Sequence, residues 1–196
     1  MKLKLSPAGL VYIYPIYFSP RLNFNGFIYP CFSVRVNYNE LLESMILSTY
    51  AYLEYNSVAE LVVSKRTFRG KKAYILKKSG FNPNEYGFLT RKIWKIPINK
   101  QISVYSSLYE KVKVHDAKRY FVTSVFEYDL AGKGLFYRDS PDLPKCKLIK
   151  SFKEQALWLR KLLTSYMEEK DEECKVVVKE VKQVVKNMEK LPAFLR

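Results

Sequence analysis

The sequence predicts an α+β protein: an aromatic-rich, mainly antiparallel β body with one packed helix, a projecting basic β-hairpin and a C-terminal helical hairpin. Two patterns lead to this class. Short β-branched and aromatic runs bounded by Gly, Pro and Asn dominate the first part of the 196 residues, and apolar residues recur at helical spacing near the end. An apolar content of 48%, with 16 Tyr and 12 Phe, provides for a substantial core.

The N-terminal part is predicted to form two strands, 10–18 and 26–36, joined by a loop that contains Asn25 and Gly26. Both strands hold an Ile-Tyr-Pro-x-aromatic sequence. Because proline cannot donate a hydrogen bond to a β-ladder, the pair is expected to form a bulged or edge region.

A helix is expected next, from Tyr38 to Tyr55. Asn37 and Glu40 have the spacing of a capping box, in which each side chain bonds the other residue's backbone N–H. The apolar residues that follow recur at helical spacing on one face.

Residues 60–78 are predicted to form a β-hairpin around Arg69 and Gly70. The base of this ribbon is apolar, whereas its tip is basic on both faces. A strand that is buried on one face should not carry charge on both, so the tip is expected to project from the body.

The positive charge is concentrated in residues 61–100, which hold eleven Lys/Arg and one acid, Glu85, in a chain of net charge +15. Such a patch is typical of a surface that binds a polyanion, and the interleaved aromatic residues could stack on unpaired bases. The pattern does not distinguish DNA from RNA. The residues expected to bind nucleic acid are Lys65, Arg66, Arg69, Lys71, Lys72, Tyr74, Lys77, Lys78, Arg91, Lys92, Trp94 and Lys95.

Further along, a strand is predicted at 88–98 and a hairpin at 119–129 and 135–139. Residues 101–118 fit a helix and a strand equally well. The chain then divides into a body, 1–145, and a C-terminal helical hairpin, 146–196, which is expected to pack on the body.

Two amphipathic helices are predicted in the C-terminal part, separated by an acidic break at 168–173. The second helix carries a short heptad seam, which is buried either within the chain or against a second copy. A homodimer is therefore an alternative, although packing of the seam within the chain is favoured. The seam consists of Val177, Val181, Val184, Met188 and Leu191.

No catalytic residue, metal or cofactor is expected. His115 is the single histidine, which excludes a two-histidine metal site or nuclease centre. Glu127 and Asp129 would share one strand face, with Asp139 on the partner strand, and the three could form a carboxylate cluster for a divalent cation. A metal-dependent nuclease is therefore kept as an alternative.

Three distant cysteines exclude a disulfide framework or a zinc knuckle and indicate a reducing compartment. The apolar run at 10–18 is too short to cross a bilayer, so no membrane partner is expected. The excess of Lys over Arg and the scarcity of Gln favour a thermophilic source. A cytoplasmic protein is the resulting expectation.

The function favoured by the sequence is non-catalytic binding of a nucleic acid or a ribonucleoprotein. Small basic proteins that are rich in Lys and Tyr and lack motifs are common in viruses and mobile elements. An inhibitor of a host nucleic-acid-based defence complex, acting in the host cytoplasm, is one version of this function. A structural protein that oligomerises through the C-terminal helices is a further alternative.

Overall fold

A computed structural model describes residues 1–18, 22–29, 31, 34–64, 70–108, 117–139 and 144–187. It confirms the α+β class, although in these residues helix outweighs strand. The main elements in chain order are α1 (Pro7–Ile13), β1 (Leu22–Tyr29), β2 (Val34–Val36), α2 (Tyr38–Tyr55), β3 (Ala59–Val63), β4 (Ala73–Lys77), α3 (Pro83–Tyr86), α4 (Arg91–Lys95), β5 (Gln101–Ser103), α5 (Val104–Leu108), α6 (Ala117–Val125), α7 (Cys146–Lys150), α8 (Lys153–Glu169) and α9 (Asp171–Asn187).

Helix α2 is the centre of the fold, and its predicted bounds are confirmed. The Asn37 side chain caps it by accepting a hydrogen bond from the Asn39 N–H at 2.8 Å. Most of its residues from Leu41 to Leu53 are buried, because α1, α8 and α9 all pack on it. A helix that is covered on several sides loses the polar stripe of a surface helix.

Two antiparallel sheets accompany the helices: β1 pairs with β2, and β3, β4 and β5 form a sheet in that order. The predicted hairpin at 60–78 is confirmed, with Val63 opposite Ala73 as its last described pair. Its predicted tip, with Lys65, Arg66 and Arg69, lies outside the described residues. At the end of the ladder, the Ala73 N–H donates to Glu180 Oε1 of α9 at 2.8 Å, so the described base of the hairpin is docked on that helix.

Three predicted strands are wrong, because each segment is mainly helical. Residues 10–18 form the end of α1 and a 3₁₀ turn at Pro15–Tyr17, and 88–98 contain a 3₁₀ turn at Phe88–Thr90 and α4. Residues 119–129 belong to α6 and to a π-helical turn at Phe126–Leu130. Short apolar runs do not distinguish a buried helix from a strand by periodicity alone. At α1, Ser6 Oγ accepts from the Gly9 N–H at 3.0 Å and Pro7 occupies the first turn.

The C-terminal helices are confirmed, but Lys170 alone separates α8 from α9, whereas the predicted break spanned 168–173. Val177, Val181 and Val184 of the seam are buried in one hydrophobic cluster that extends from Leu3 to Val185. Because these valines are covered within the chain, mainly by α2 and α5, they do not form a dimer surface. Met188 and Leu191 lie outside the described residues, and a domain boundary at residue 145 stays a prediction.

The interpretation of the cysteines is wrong, because Cys31 and Cys146 form a disulfide, which links the β1–β2 hairpin to α7. Nearby, Tyr14 Oη donates to the Ile149 carbonyl oxygen at 2.8 Å, so the end of α1 is fixed to α7 as well. Disulfides persist in oxidising compartments and in the intracellular proteins of hyperthermophiles, so the argument for a reducing compartment no longer holds. In the described ranges no helix is long and apolar enough to span a membrane.

The burial of the seam gives a stability prediction. Val181→Asp places an unpaired charge at a position with no exposed surface, and we expect the free energy of unfolding to fall by about 3 kcal/mol or more. Urea denaturation of the monomer measures this change. Gln183→Asp adds the same charge at an exposed position of α9 and should have a small effect. A Val181→Asp variant that keeps its stability but sediments as a smaller species would show that the seam is an interface.

Candidate nucleic-acid interface

A cleft of about 400 Å³ lies between α3, α4 and α6, and it is called the aromatic cleft below. It holds three exposed aromatic side chains together with cations from α4. None of the thirteen described residues that line it is acidic. The residues that define it are Phe88, Arg91, Lys92, Trp94, Lys95, Tyr120 and Tyr128.

The backbone between α3 and α4 is fixed by buried contacts. Gly87 has a φ of 91°, and a Cβ at this position would lie 2.4 Å from Asp129 Oδ2, so both the conformation and the space require glycine. Thr90 Oγ1 donates to the Gly87 carbonyl oxygen at 2.8 Å, and the buried Ile93 holds α4 against the core. As a result, α4 presents Arg91, Trp94 and Lys95 to solvent.

Tyr128 is the central ring of the cleft. It stacks on Phe88 with 5.3 Å between centroids and 5° between planes, and the Arg91 guanidinium carbon lies 4.0 Å from its centroid. Arg91 also lies 5.8 Å from the centroid of the Phe88 ring, so its guanidinium is close to both rings of the stack. Tyr128 is 54% exposed, so it remains accessible to solvent.

Trp94 and Tyr120 complete the aromatic surface. Tyr120 lies edge-on to Phe88 at 6.5 Å, and the buried Phe121 contacts Phe88 in the same way at 5.9 Å. Trp94 is 47% exposed and lies among cations. Exposure of a large apolar ring to water is unfavourable, and exposed apolar patches often mark binding sites. The cleft therefore brings several aromatic rings together next to positively charged side chains.

A buried carboxylate fixes the geometry of Tyr128 and Phe88. Asp129, 6% exposed, accepts hydrogen bonds from Ser6 Oγ at 2.6 Å and from the Phe88 N–H at 2.8 Å. Burial raises the pKa of Asp129 to about 6, against the opposing effects of these hydrogen bonds and of the positive charges on Arg91 and Lys133. One side chain thus connects the start of α1 with both members of the aromatic stack.

Lys77, which was predicted to bind nucleic acid, is buried and has a structural role instead. Its ammonium donates to the carbonyl oxygens of Trp94 at 2.6 Å and Ile96 at 2.8 Å, at the C-terminal end of α4. Cations stabilise helix C-termini, where the last carbonyl groups have no partner in the helix. Lys77 thus holds α4 in place and is not available to a ligand.

The other residues that were predicted to bind nucleic acid do not form a single site. Arg91, Lys92, Trp94 and Lys95 lie together in the aromatic cleft, whereas Lys71 and Lys72 line a groove of about 540 Å³ beside α9. Helix α5 lies between the two, where the Lys92 ammonium donates to the Ser106 carbonyl oxygen at 3.1 Å. Lys78 pairs with Glu60 at 2.6 Å, and Tyr74 is half-buried in β4.

Tyr120 and Tyr128 are not among the predicted site residues, because 119–129 was predicted to be a strand. The predicted cluster of Glu127, Asp129 and Asp139 relied on the same predicted strand, and it is wrong because Glu127 and Asp129 lie in a helical turn. Glu127 is exposed, whereas Asp129 points inward to Ser6 and Phe88. Within the described ranges there is no group of three or more potential metal ligands among His, Cys, Asp and Glu, and His115 lies outside those ranges.

Comparison with known proteins gives no match to a family model, to a curated protein or to a solved structure. What the protein does must therefore be inferred from its own residues.

The raised pKa of Asp129 gives a pH-dependent stability prediction. The pKa of Asp129 is 3.8 in the unfolded chain and about 6 in the folded protein. A group whose pKa is raised by folding stabilises the folded state below the unfolded pKa, and this stabilisation is lost as the pH rises through the folded pKa. The loss is roughly 3 kcal/mol at 1.36 kcal/mol per pKa unit. We expect Asp129→Asn to remove this fall from the profile of unfolding free energy against pH, as measured by urea denaturation.

Glu127→Gln is the matched control, because it removes an exposed carboxyl two residues away and should leave the fall in place. Profiles of wild type and Asp129→Asn that run parallel from pH of about 4 to about 6 would contradict the assignment.

Proposed function

We propose that the protein binds single-stranded nucleic acid in the aromatic cleft, without catalysing a reaction on it. The observation that carries the proposal is the presence of exposed Trp94, Tyr120 and Tyr128 rings beside Arg91, Lys92 and Lys95, with no acid among the described lining residues. Proteins that bind single strands combine aromatic platforms for the bases with cations for the backbone.

The cations supply affinity that does not depend on base sequence. Each phosphate that a Lys or Arg neutralises releases a condensed counterion, so affinity falls as salt rises, by about 0.7 logarithmic units per contact for a single strand. Arg91 also fixes the orientation of Tyr128 by lying over its ring. The cation and the ring would then contact adjacent parts of one nucleotide.

The accessible ring faces favour a single strand over a duplex. In a duplex the base faces are stacked on each other and are not available to Trp94 or Tyr128. A volume of about 400 Å³ is typical of a small-ligand pocket and suits one or two nucleotides that enter from a longer chain. A single-stranded segment of a ribonucleoprotein has the same chemistry, which keeps an inhibitor of a nucleic-acid-based defence complex within the proposal.

Non-catalytic binding is proposed because the described lining offers no carboxylate, imidazole or thiol that could activate water or hold a metal ion. The one buried carboxylate nearby, Asp129, is directed away from the mouth of the cleft and is already hydrogen-bonded. Incubation of labelled strands with Mg²⁺ and the protein should leave the strands intact.

Fluorescence anisotropy with labelled oligothymidylate, oligouridylate and a DNA duplex tests the proposal. We expect both single strands to bind more tightly than the duplex, and Trp94→Ala or Tyr128→Ala to cost about 1–3 kcal/mol, which is roughly a 5- to 150-fold loss of affinity. Tyr137→Ala is the matched control, because Tyr137 is equally exposed but lies outside the cleft, and it should bind as wild type does.

Replacement of Arg91, Lys92 and Lys95 by Ala should reduce the slope of log affinity against log salt by about 2. Equal affinity of wild type and the two aromatic variants, or tighter binding to the duplex, would contradict the proposal.

A further inference from the structure

A second cavity, of about 650 Å³, adjoins the aromatic cleft and is called the N-terminal cavity below. The two share Asn84 and Tyr128 as lining residues, so they meet at the central ring of the cleft. The N-terminal cavity carries three lysines, none of them from the basic segment 61–100. They are Lys2, Lys4 and Lys133.

The N-terminal segment is held so that its lysines point outward. Leu3 and Leu5 are buried, whereas Lys2 before them and Lys4 between them are exposed. The backbone is fixed on both sides, because the Leu3 N–H donates to Tyr52 Oη at 3.1 Å and the Lys4 N–H to Gln155 Oε1 at 2.8 Å. The two ammonium groups are thus attached to an anchored backbone.

Lys133 approaches the cavity from the other side. It lies in the 3₁₀ turn Ala131–Lys133, which directly follows the π-helical turn that contains Tyr128. A strand that crosses Tyr128 from one cavity to the other therefore passes Arg91 on the side of the aromatic cleft and Lys133 on the side of the N-terminal cavity. Positively charged side chains are therefore present on both sides of Tyr128.

The cavity also contains an aromatic platform. Tyr55 is 50% exposed, and its ring is supported by Trp158, edge-on at 5.2 Å, and by Tyr52, stacked at 6.4 Å. Of the two acids in the lining, Asp129 is directed into the protein by its bonds to Ser6 and Phe88. Among the described lining residues, Glu85 is the one exposed acid, so lysines outnumber exposed acids there by three to one.

We propose that a bound single strand continues from the aromatic cleft across Tyr128 into the N-terminal cavity. There Lys2, Lys4 and Lys133 bind its phosphates, and Tyr55 stacks on one of its bases. This inference rests on the proposed function, which it extends from one cleft to a two-cavity path. It assigns a binding role to lysines of the N-terminal segment and of the turn after α6.

The test compares oligothymidylates of about 4 and about 12 nucleotides, lengths near the two ends of the range for single-strand binding sites. The shorter strand fills the aromatic cleft alone, whereas the longer one spans both cavities. For wild type we expect the longer strand to bind at least about tenfold more tightly than the shorter one and to have a salt slope steeper by about 2, from three added contacts at about 0.7 each.

The triple variant Lys2→Ala, Lys4→Ala, Lys133→Ala should bind the longer strand with the affinity and salt slope that wild type shows for the shorter one. Its affinity for the shorter strand should not change, which shows that the variant is folded and that the cleft is intact. The control removes three exposed lysines of α7 and α8 that line neither cavity, Lys147, Lys153 and Lys161, and should behave as wild type.

The outcomes separate this inference from the proposed function. Absence of single-strand binding by wild type would overturn both. Binding of both lengths with equal affinity by wild type, or a triple variant that keeps the full preference for the longer strand, would overturn the two-cavity path and leave the aromatic cleft as the site. A loss of affinity for the longer strand that is the same in the control variant would show non-specific charge attraction and would also overturn the path.

Discussion

The buried carboxylate of Asp129 connects three segments that are distant in the chain. It accepts from Ser6 at the start of α1 and from the Phe88 N–H in the turn after α3, and it belongs to the π-helical turn after α6. Burial of this group opposes its ionisation, so the hydrogen bonds and the nearby cations must offset a desolvation cost. The position of the Tyr128–Phe88 stack, and hence the wall between the two cavities, depends on this contact.

Around that contact the fold is organised by α2. Its burial under α1, α8 and α9 brings the N-terminal segment, the middle of the chain and the C-terminal helices into a single hydrophobic cluster. The hydrogen bond from the Ala73 N–H to Glu180 attaches β4 to α9, and so links the β3–β4–β5 sheet to these helices. The aromatic cleft lies on shorter elements, α3 to α6 and the turn after α6, and the larger helices hold these in place.

The sequence predicted those elements whose signals are local and strong. The capping box at Asn37 located α2, and the periodicity of the C-terminal residues located α8 and α9, because cap chemistry and amphipathic spacing are visible in a single segment. It failed for α1, α4 and α6, because the periodicity of short apolar and aromatic runs does not distinguish a helix from a strand.

The site was predictable in part. The charge imbalance identified Arg91, Lys92, Trp94 and Lys95, four residues that the structure brings together, but it could not separate the buried Lys77 from its exposed neighbours. Lys2, Lys4 and Lys133 lie outside the basic segment 61–100, and Lys2 and Lys4 approach Tyr128 only through tertiary contacts. Cys31 and Cys146, 115 residues apart, meet for the same reason.

The central claim is that a single strand stacks on the rings of the aromatic cleft, and the two tryptophans of the chain allow a direct measurement. Trp94 lies in the cleft, whereas Trp158 packs against Tyr52 and Tyr55. In Trp158→Phe, saturation with an oligothymidylate of about four nucleotides should quench the emission of Trp94 through base stacking. In Trp94→Phe, the emission of Trp158 should not change. Binding that is detected by anisotropy while Trp94 emission stays constant would contradict the account.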